Sequence, residues 1–215
     1  MTEHAHILTL AQWLSPAYPV GSFAYSHGLE AAVQAGWVRD GRQLGNWLED
    51  VLSHGSGRND ATLIAAAYNA PDPEALLGVE AIARAFAASR ERLLETDQQG
   101  AAFCRVTAAI WGAEIDGLTY PVALGRAAYL EGLPQTLTAK MYLSAMVSNL
   151  IAAGQRLLPL GQTAAQGLHR ALSPLCLRIA EETSGGAVDQ LAASAFISDI
   201  ASMKHETQYS RIFRT

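Results

Sequence analysis

Six histidines, two cysteines and a short run of acids are the residues of this 215-residue chain that could do chemistry. The histidines are His4, His6, His27, His54, His169 and His205. No two stand four apart on a predicted helix, the spacing that lets both bind one metal. His4-x-His6 is expected to be a solvated pair. Cys104 and Cys176 belong to no CxxC or Cys/His pattern, so they read as buried thiols and not as a zinc site. Glu91, Glu95 and Asp97 form an acidic patch. Acid–base work would need a pocket that separates their pKa values, and a solvated helix face is expected instead. The chain contains no GxxxxGK[ST], no strand-borne GxGxxG, no HExxH and no GxSxG. No catalytic residue, no metal site and no cofactor are therefore expected.

Two other segments stand out. SPAYPVGSFAYSHGLE sets Tyr18, Phe23 and Tyr25 among prolines, Gly21 and hydroxyl residues. So aromatic a loop must fold onto the domain or meet a partner. Phe23 is expected to be buried beneath two helices, and Tyr18 and Tyr25 fit either reading. In KHETQYSRIFRT, Tyr209, Ile212 and Phe213 recur at i, i+3, i+4, with Lys204, Arg211 and Arg214 around them. Disordered segments seldom carry such residues at helical spacing, so an arm that orders on a partner is expected, with plain disorder the alternative.

The elements that must carry these segments read as helices. Half of the residues are hydrophobic, chiefly Ala and Leu, and 16% are charged. The spacing predicts a first helix over Ala5 to Leu14 and a second entered at Ser26 and stopped by Gly36. A third, capped by Asp40, puts Leu44, Trp47, Leu48, Val51 and Leu52 on one face. Others start at Asn59 or Asp60 and at Asp72-Pro73. A long helix over Ser89 to Gly112 is read with Leu93, Ala101, Cys104, Ala108 and Trp111 on its inner face. Tyr120-Pro121 opens a shorter one. The segment Leu137 to Leu157, apolar almost all round, is the central helix. After LLPLGQ comes a helix from Gln162 to Glu182, with Pro174 a kink or break, then a last one from Asp189 to about Met203. No strand pattern appears. The fold class is all-α, a single-domain bundle of about nine to ten helices over 1–203, with a flexible tail, 204–215.

The net charge of −5 and the lack of a basic stripe argue against nucleic acid. All basic residues but Lys140 and Lys204 are Arg. The N-terminus lacks a basic n-region, and the longest apolar stretch, from Lys140 to Arg156, is too short to span a bilayer. A soluble cytoplasmic protein is expected.

Several blocks resemble one family. SPAYPVGSFAYSHGLEAAVQAGWV is similar to the N-terminal motif of UreF urease accessory proteins, a Pro-x-Gly-x-Phe-x-Tyr-Ser-x-Gly-Leu-Glu pattern before Gly-Trp. NLIAAGQRLLPLGQTAAQ resembles that family's central Arg-x-x-Pro-Leu-Gly-Gln block, and HETQYSRIFRT its C-terminal signature, with Arg-Thr in place of Arg-Ser. TDQQG and YPVALG match weaker features between them. The resemblance implies an all-helical homodimer that has no chemistry of its own. It would bind a UreD (UreH)-type partner and recruit the GTPase UreG, which delivers nickel to apo-urease.

Carried over by position, Lys204, His205, Glu206, Tyr209, Arg211, Ile212, Phe213 and Arg214 would meet the UreD-type partner. Arg156, Pro159, Gly161 and Gln162, with Tyr25 and Glu30, would lie at the dimer centre or face UreG. Pro19, Gly21, Ser22, Ser26 and Gly28 would shape the N-terminal loop. An alternative is a regulator that supplies an Arg, Arg156 or Arg126, to the UreG site.

Overall fold

The computed structural model describes residues 2–192 and 194–215. Ten α-helices and two short 3-10 turns make up the regular structure, with no strand among the described residues. In order they are α1 (Glu3–Trp13), α2 (Leu29–Gln34), α3 (Gly41–His54), α4 (Ser56–Asn69), α5 (Pro73–Ala85), α6 (Arg90–Trp111), α7 (Tyr120–Leu130), α8 (Gln135–Leu157), α9 (Gln162–Glu182) and α10 (Phe196–His205).

Local chemistry sets several of the boundaries. Asp40 accepts the Gln43 N–H at 2.8 Å, Asp72 the Ala75 N–H at 2.8 Å and Ser89 the Arg92 N–H at 3.1 Å. Each satisfies a donor that has no partner inside the helix. The stripe expected on α3 is buried in full. Elsewhere the starts differ. α4 begins at Ser56, because Asn59 bonds across to the Ala192 backbone and Asp60 to Tyr142, leaving neither to cap. Gln135 starts α8 directly after Pro134, with no side-chain cap. Asp189 sits in a 3-10 turn and α10 begins only at Phe196. Pro174 neither breaks nor ends α9.

α8 lies at the centre, touching α1, α2, α3, α4, α7 and α9. Leu143, Met146, Val147, Leu150 and Ile151 fill its buried sides, as its all-round apolarity predicts. The tightest pairing is α4 on α7, where Ala61, Ala65, Ala123 and Ala127 are all buried. Gly125 makes this approach possible. A Cβ there would stand 2.3 Å from the Ile64 carbonyl oxygen, a backbone atom that cannot step aside. Gly125→Ala is accordingly expected to cost about 3 kcal/mol or more. Thermal unfolding checks this, and an unchanged midpoint would show that α4 and α7 are less closely packed.

The inner face of α6 is only in part the one expected, with Cys104 buried and Trp111 packed on the core as read. Glu95, Gln99, Phe103, Cys104 and Thr107 point inward, while Ala101 is exposed. Apolar spacing fails here because the buried polar residues have partners waiting across the fold. Thr107 bonds Tyr18 at 2.8 Å, and Gln99 bonds Glu95 at 3.0 Å. The aromatic rings Trp13, Phe103, Tyr120 and Tyr142 meet successively, with centroids 5.4–5.8 Å apart. They lead from α1 to the buried charges described next.

Candidate functional site: a buried ionic centre beneath three converging segments

The first turn and a half of α6 turns Glu91 to the end of α10, Arg92 to Glu95 and the charge of Asp60, and Glu95 to His27 just before α2, because positions three and four apart share a helix face. Glu95 is only 3% exposed. It pairs with Arg92, lies 3.0 Å from His27 Nε2 and accepts the Thr215 hydroxyl at 2.9 Å. Burial alone would push its carboxyl up. The charges and hydrogen bonds of Arg92 and His27 outweigh that and hold it at about 2. Asp60, on α4, has its carboxyl pushed up by burial, against the pull of Arg92 and the Tyr142 hydroxyl 2.6 Å away. Glu91, Glu95 and their neighbours are therefore an internal ionic centre and not the solvated face that sequence spacing suggested. A cavity of about 250 Å³ opens beside it, lined by His27, Asp60, Arg92, Glu95 and Tyr142 on one side and by Trp13, Phe23 and Met146 on the other.

The N-terminal loop and the 204–215 segment converge on this centre, and Arg156 of the central block reaches over both. Gly28 lets α2 begin against α10. It has φ +79°, and a Cβ there would lie 2.5 Å from the Ser202 backbone nitrogen. Ser26 acts as a hub. Its N–H donates to the Thr215 carbonyl at 2.9 Å, its hydroxyl donates to the same oxygen, and it accepts the Glu30 N–H at 3.3 Å. Glu30 accepts the N–H groups of Ile212 and Phe213, at 2.7 and 2.9 Å. His205, fully buried, has Nδ1 2.7 Å from Glu91 and Nε2 3.3 Å from Glu30. Arg211 also reaches Glu91. Arg214 donates its N–H to the Ala24 carbonyl at 2.8 Å. Tyr25, buried, donates its hydroxyl to Gln98 at 2.8 Å. Arg156, at the end of α8, lies 4.3 Å above the Phe213 ring and 3.4 Å from the Phe23 carbonyl oxygen.

The 204–215 segment thus packs against the body of the chain. It is irregular beyond His205, so the i, i+3, i+4 spacing of Tyr209, Ile212 and Phe213 does not mark a helix. Phe213 turns inward at 4% exposure, while Tyr209 and Ile212 face solvent. Backbone donors 212 and 213 are taken by Glu30, which replaces the helical ladder with side-chain bonds. Lys204 lies over the Trp37 ring, 5.7 Å from its centroid, and Glu206 accepts the Arg90 N–H at 2.8 Å. In the N-terminal loop Tyr18 and Tyr25 are buried, but Phe23 is 67% exposed, contrary to expectation. It sits in a 3-10 turn, Ser22–Ala24, that Gly21 enters at φ +74°. This turn directs the ring outward over the cavity. Ser22 gives its carbonyl to Asn149 at 2.9 Å, while Pro19 stays at the surface. Pro159, Gly161 and Gln162 are exposed on the α8–α9 turn. They share its exposed surface with Arg156.

Sequence reasoning missed His27, Asp60 and Arg92. Their only signal is the oddity of charged residues near predicted helix starts. It also missed the outer face of α10, where Phe196, Ile197, Ile200 and Met203 are all more than 45% exposed. Their spacing is helical, but here the apolar stripe faces away from α2 and α6, the helices on which α10 packs. No cluster of three or more His, Cys, Asp or Glu residues suited to a metal ion occurs among the described residues. Among them, no helix is long and apolar enough to cross a membrane.

Fold and site together define an all-helical protein whose buried charges fasten its own segments and whose apolar surplus is displayed outward. The UreF family model matches residues 38–173. Over 209 residues the chain is 54% identical to the urease accessory protein UreF of Ruegeria pomeroyi, covering 97% of this chain and 96% of that one. It is 57% identical over 215 residues to the same-named protein of Ruegeria sp. TM1040, covering the whole of both, and 50% identical to that of Roseobacter denitrificans over 97% and 93%. The chain belongs to the UreF family of urease accessory proteins.

Proposed function

We propose that this chain is a scaffold in nickel-dependent urease maturation, working as a homodimer in the cytoplasm. In this reading α10 and the 204–215 segment bind a UreD (UreH)-type partner, and the pair brings the GTPase UreG to apo-urease. The observation that carries it is the outward apolar stripe Phe196, Ile197, Ile200 and Met203, followed by the exposed Tyr209 and Ile212. Apolar side chains grouped on one face and left in water are a cost to an isolated chain and a gain to a complex. Family membership supplies the setting, urease assembly. Co-purification with UreD-type and UreG-type proteins, sized by light scattering, tests the reading. A defined complex containing all of them supports it, and recovery of this chain at its own mass counts against it.

The alternative, an Arg supplied to the UreG site, finds no free candidate in the two residues nominated. Arg156 is held over Phe213 and near the Phe23 carbonyl, and Arg126 lies 4.9 Å above the Tyr129 ring. Arg156→Ala is expected to lower the yield of assembled complex several-fold, while single-turnover GTP hydrolysis by UreG stays within about twofold. A large loss of rate with the complex intact would reverse the ranking of the two readings.

A further inference from the structure

Two polar groups on the wall of the cavity of about 250 Å³ lack a partner that their burial calls for. The Tyr120 hydroxyl makes no hydrogen bond among the described residues, although the residue is only 8% exposed. Burial pushes that hydroxyl up, so it stays a neutral O–H at physiological pH. Asp60 uses one carboxylate oxygen for the Tyr142 hydroxyl, at 2.6 Å, and among the described residues no hydrogen bond reaches the other. No cation of the described residues touches it either, because Arg92 is paired with Glu95. The Tyr120 and Tyr142 rings lie 5.8 Å apart, which brings Tyr120 and Asp60 into one neighbourhood. Buried polar groups without partners are costly, and folded chains seldom leave them so. What the chain omits, an occupant of the cavity can supply.

The chemistry of that occupant follows from the lining. The cavity runs from exposed residues, Phe23, Ser148 and Ala152 among them, inward to two carboxylates, Asp60 and Glu95, and one guanidinium, Arg92. An anion would meet the unpaired Asp60 carboxylate and be repelled. A purely apolar molecule would leave Asp60 and Tyr120 as they are. A positively charged N–H donor answers Asp60, and the Tyr120 oxygen can accept a second N–H. Trp13, Tyr120 and Tyr142 add aromatic surface, which attracts organic cations. A bare metal ion needs several oxygen or nitrogen ligands at once, and no cluster of that kind occurs among the described residues. The volume lies below the roughly 300–1,000 Å³ of pockets that hold drug-sized ligands, so the occupant is small. We propose that the cavity is a binding site for a small primary amine with an apolar body, its ammonium group meeting Asp60 and Tyr120 and its apolar end lying towards Phe23 and Met146. The site goes beyond the scaffold reading and does not depend on it.

Phenethylamine titrated into the full chain at about pH 7 tests this, with 2-phenylethanol and phenylacetate as its neutral and anionic counterparts. The labelled methyl group of Met146, on the cavity wall, reports occupancy by NMR. The amine is expected to give a saturable shift with a dissociation constant of about 1 mM or tighter, and both counterparts should bind at least about tenfold more weakly. Asp60→Asn keeps an acceptor for Tyr142 but loses the charge, and should weaken the amine about tenfold or more. Tyr120→Phe keeps the ring and should weaken it roughly threefold. A cavity filled by water alone would give no saturable shift, and that result overturns the proposal. Equal affinity for the three probes, or undiminished amine binding by Asp60→Asn, overturns it as well. Should Asp60→Asn fail to fold, the order of the three probes on the native chain decides.

Discussion

On the proposed scaffold reading, a chain ending at Met203 is expected to lose binding to a UreD-type protein, with affinity falling at least about a hundredfold, or ~2.7 kcal/mol. Truncation removes Tyr209 and Ile212, the exposed apolar side chains that follow the α10 stripe. It also removes His205, Arg211 and Phe213, which fasten the end of α10 to α2 and α6. Loss of the buried Phe213 alone costs about 3 kcal/mol, so the truncated domain should melt earlier. It should nonetheless fold, because α3, α4, α7, α8 and α9 pack on one another without help from the segment. Circular dichroism should remain helical. To separate lost surface from lost stability, Tyr209→Ala combined with Ile212→Asp alters only exposed side chains. That double variant should weaken binding and leave the melting midpoint nearly unmoved. Unimpaired co-purification of the truncated chain would refute the assignment of this segment.

Glu95→Ala is expected to be the most damaging single substitution at the ionic centre, costing about 3–5 kcal/mol. Arg92 would stay buried with only Asp60 as a charge partner, while His27 and the Thr215 hydroxyl would each lose an acceptor. The same carboxylate sets an acid limit. Its native value of about 2 lies below its ordinary 4.5. A carboxyl held below its unfolded value stabilises the fold above that unfolded value, and the contribution is lost as the pH falls from about 4.5 towards 2. Asp60, pushed up by burial, works in the opposite direction and offsets part of that loss. Thermal unfolding between about pH 7 and about pH 3 should therefore show a steeper decline in the native chain than in Glu95→Gln. Equal slopes would mean that Glu95 does not govern acid stability.

The helical fold was readable because its signals are local. Asp40, Asp72 and Ser89 cap where their types predict, and the apolar periodicity of α3 and α8 found their buried faces. The inner face of α6 was readable only in part, at Cys104 and Trp111. Burial of Glu95 is worth its cost only with Arg92 and His27 in place, and that partnership spans 68 positions between His27 and Glu95. The N-terminal loop was half legible. Its aromatic content marked it out, but which rings turn inward depends on the positive φ at Gly21 and on the hydroxyl partners of Tyr18 and Tyr25. For the 204–215 segment, residue types suggested a flexible arm that orders on a partner, whereas the fold supplies Glu30 and Glu91 of the same chain as the groups that hold it. The α10 stripe escaped notice because periodicity marks an apolar face without saying whether it points to a core or to a partner.

Urease activity in cells supplied with nickel, compared with and without this chain, bears most directly on the scaffold reading. Activity should collapse without it, return with the native chain and fail to return with Ile200→Asp, a charge placed at the centre of the α10 stripe. Full activity in the absence of the chain would contradict the account.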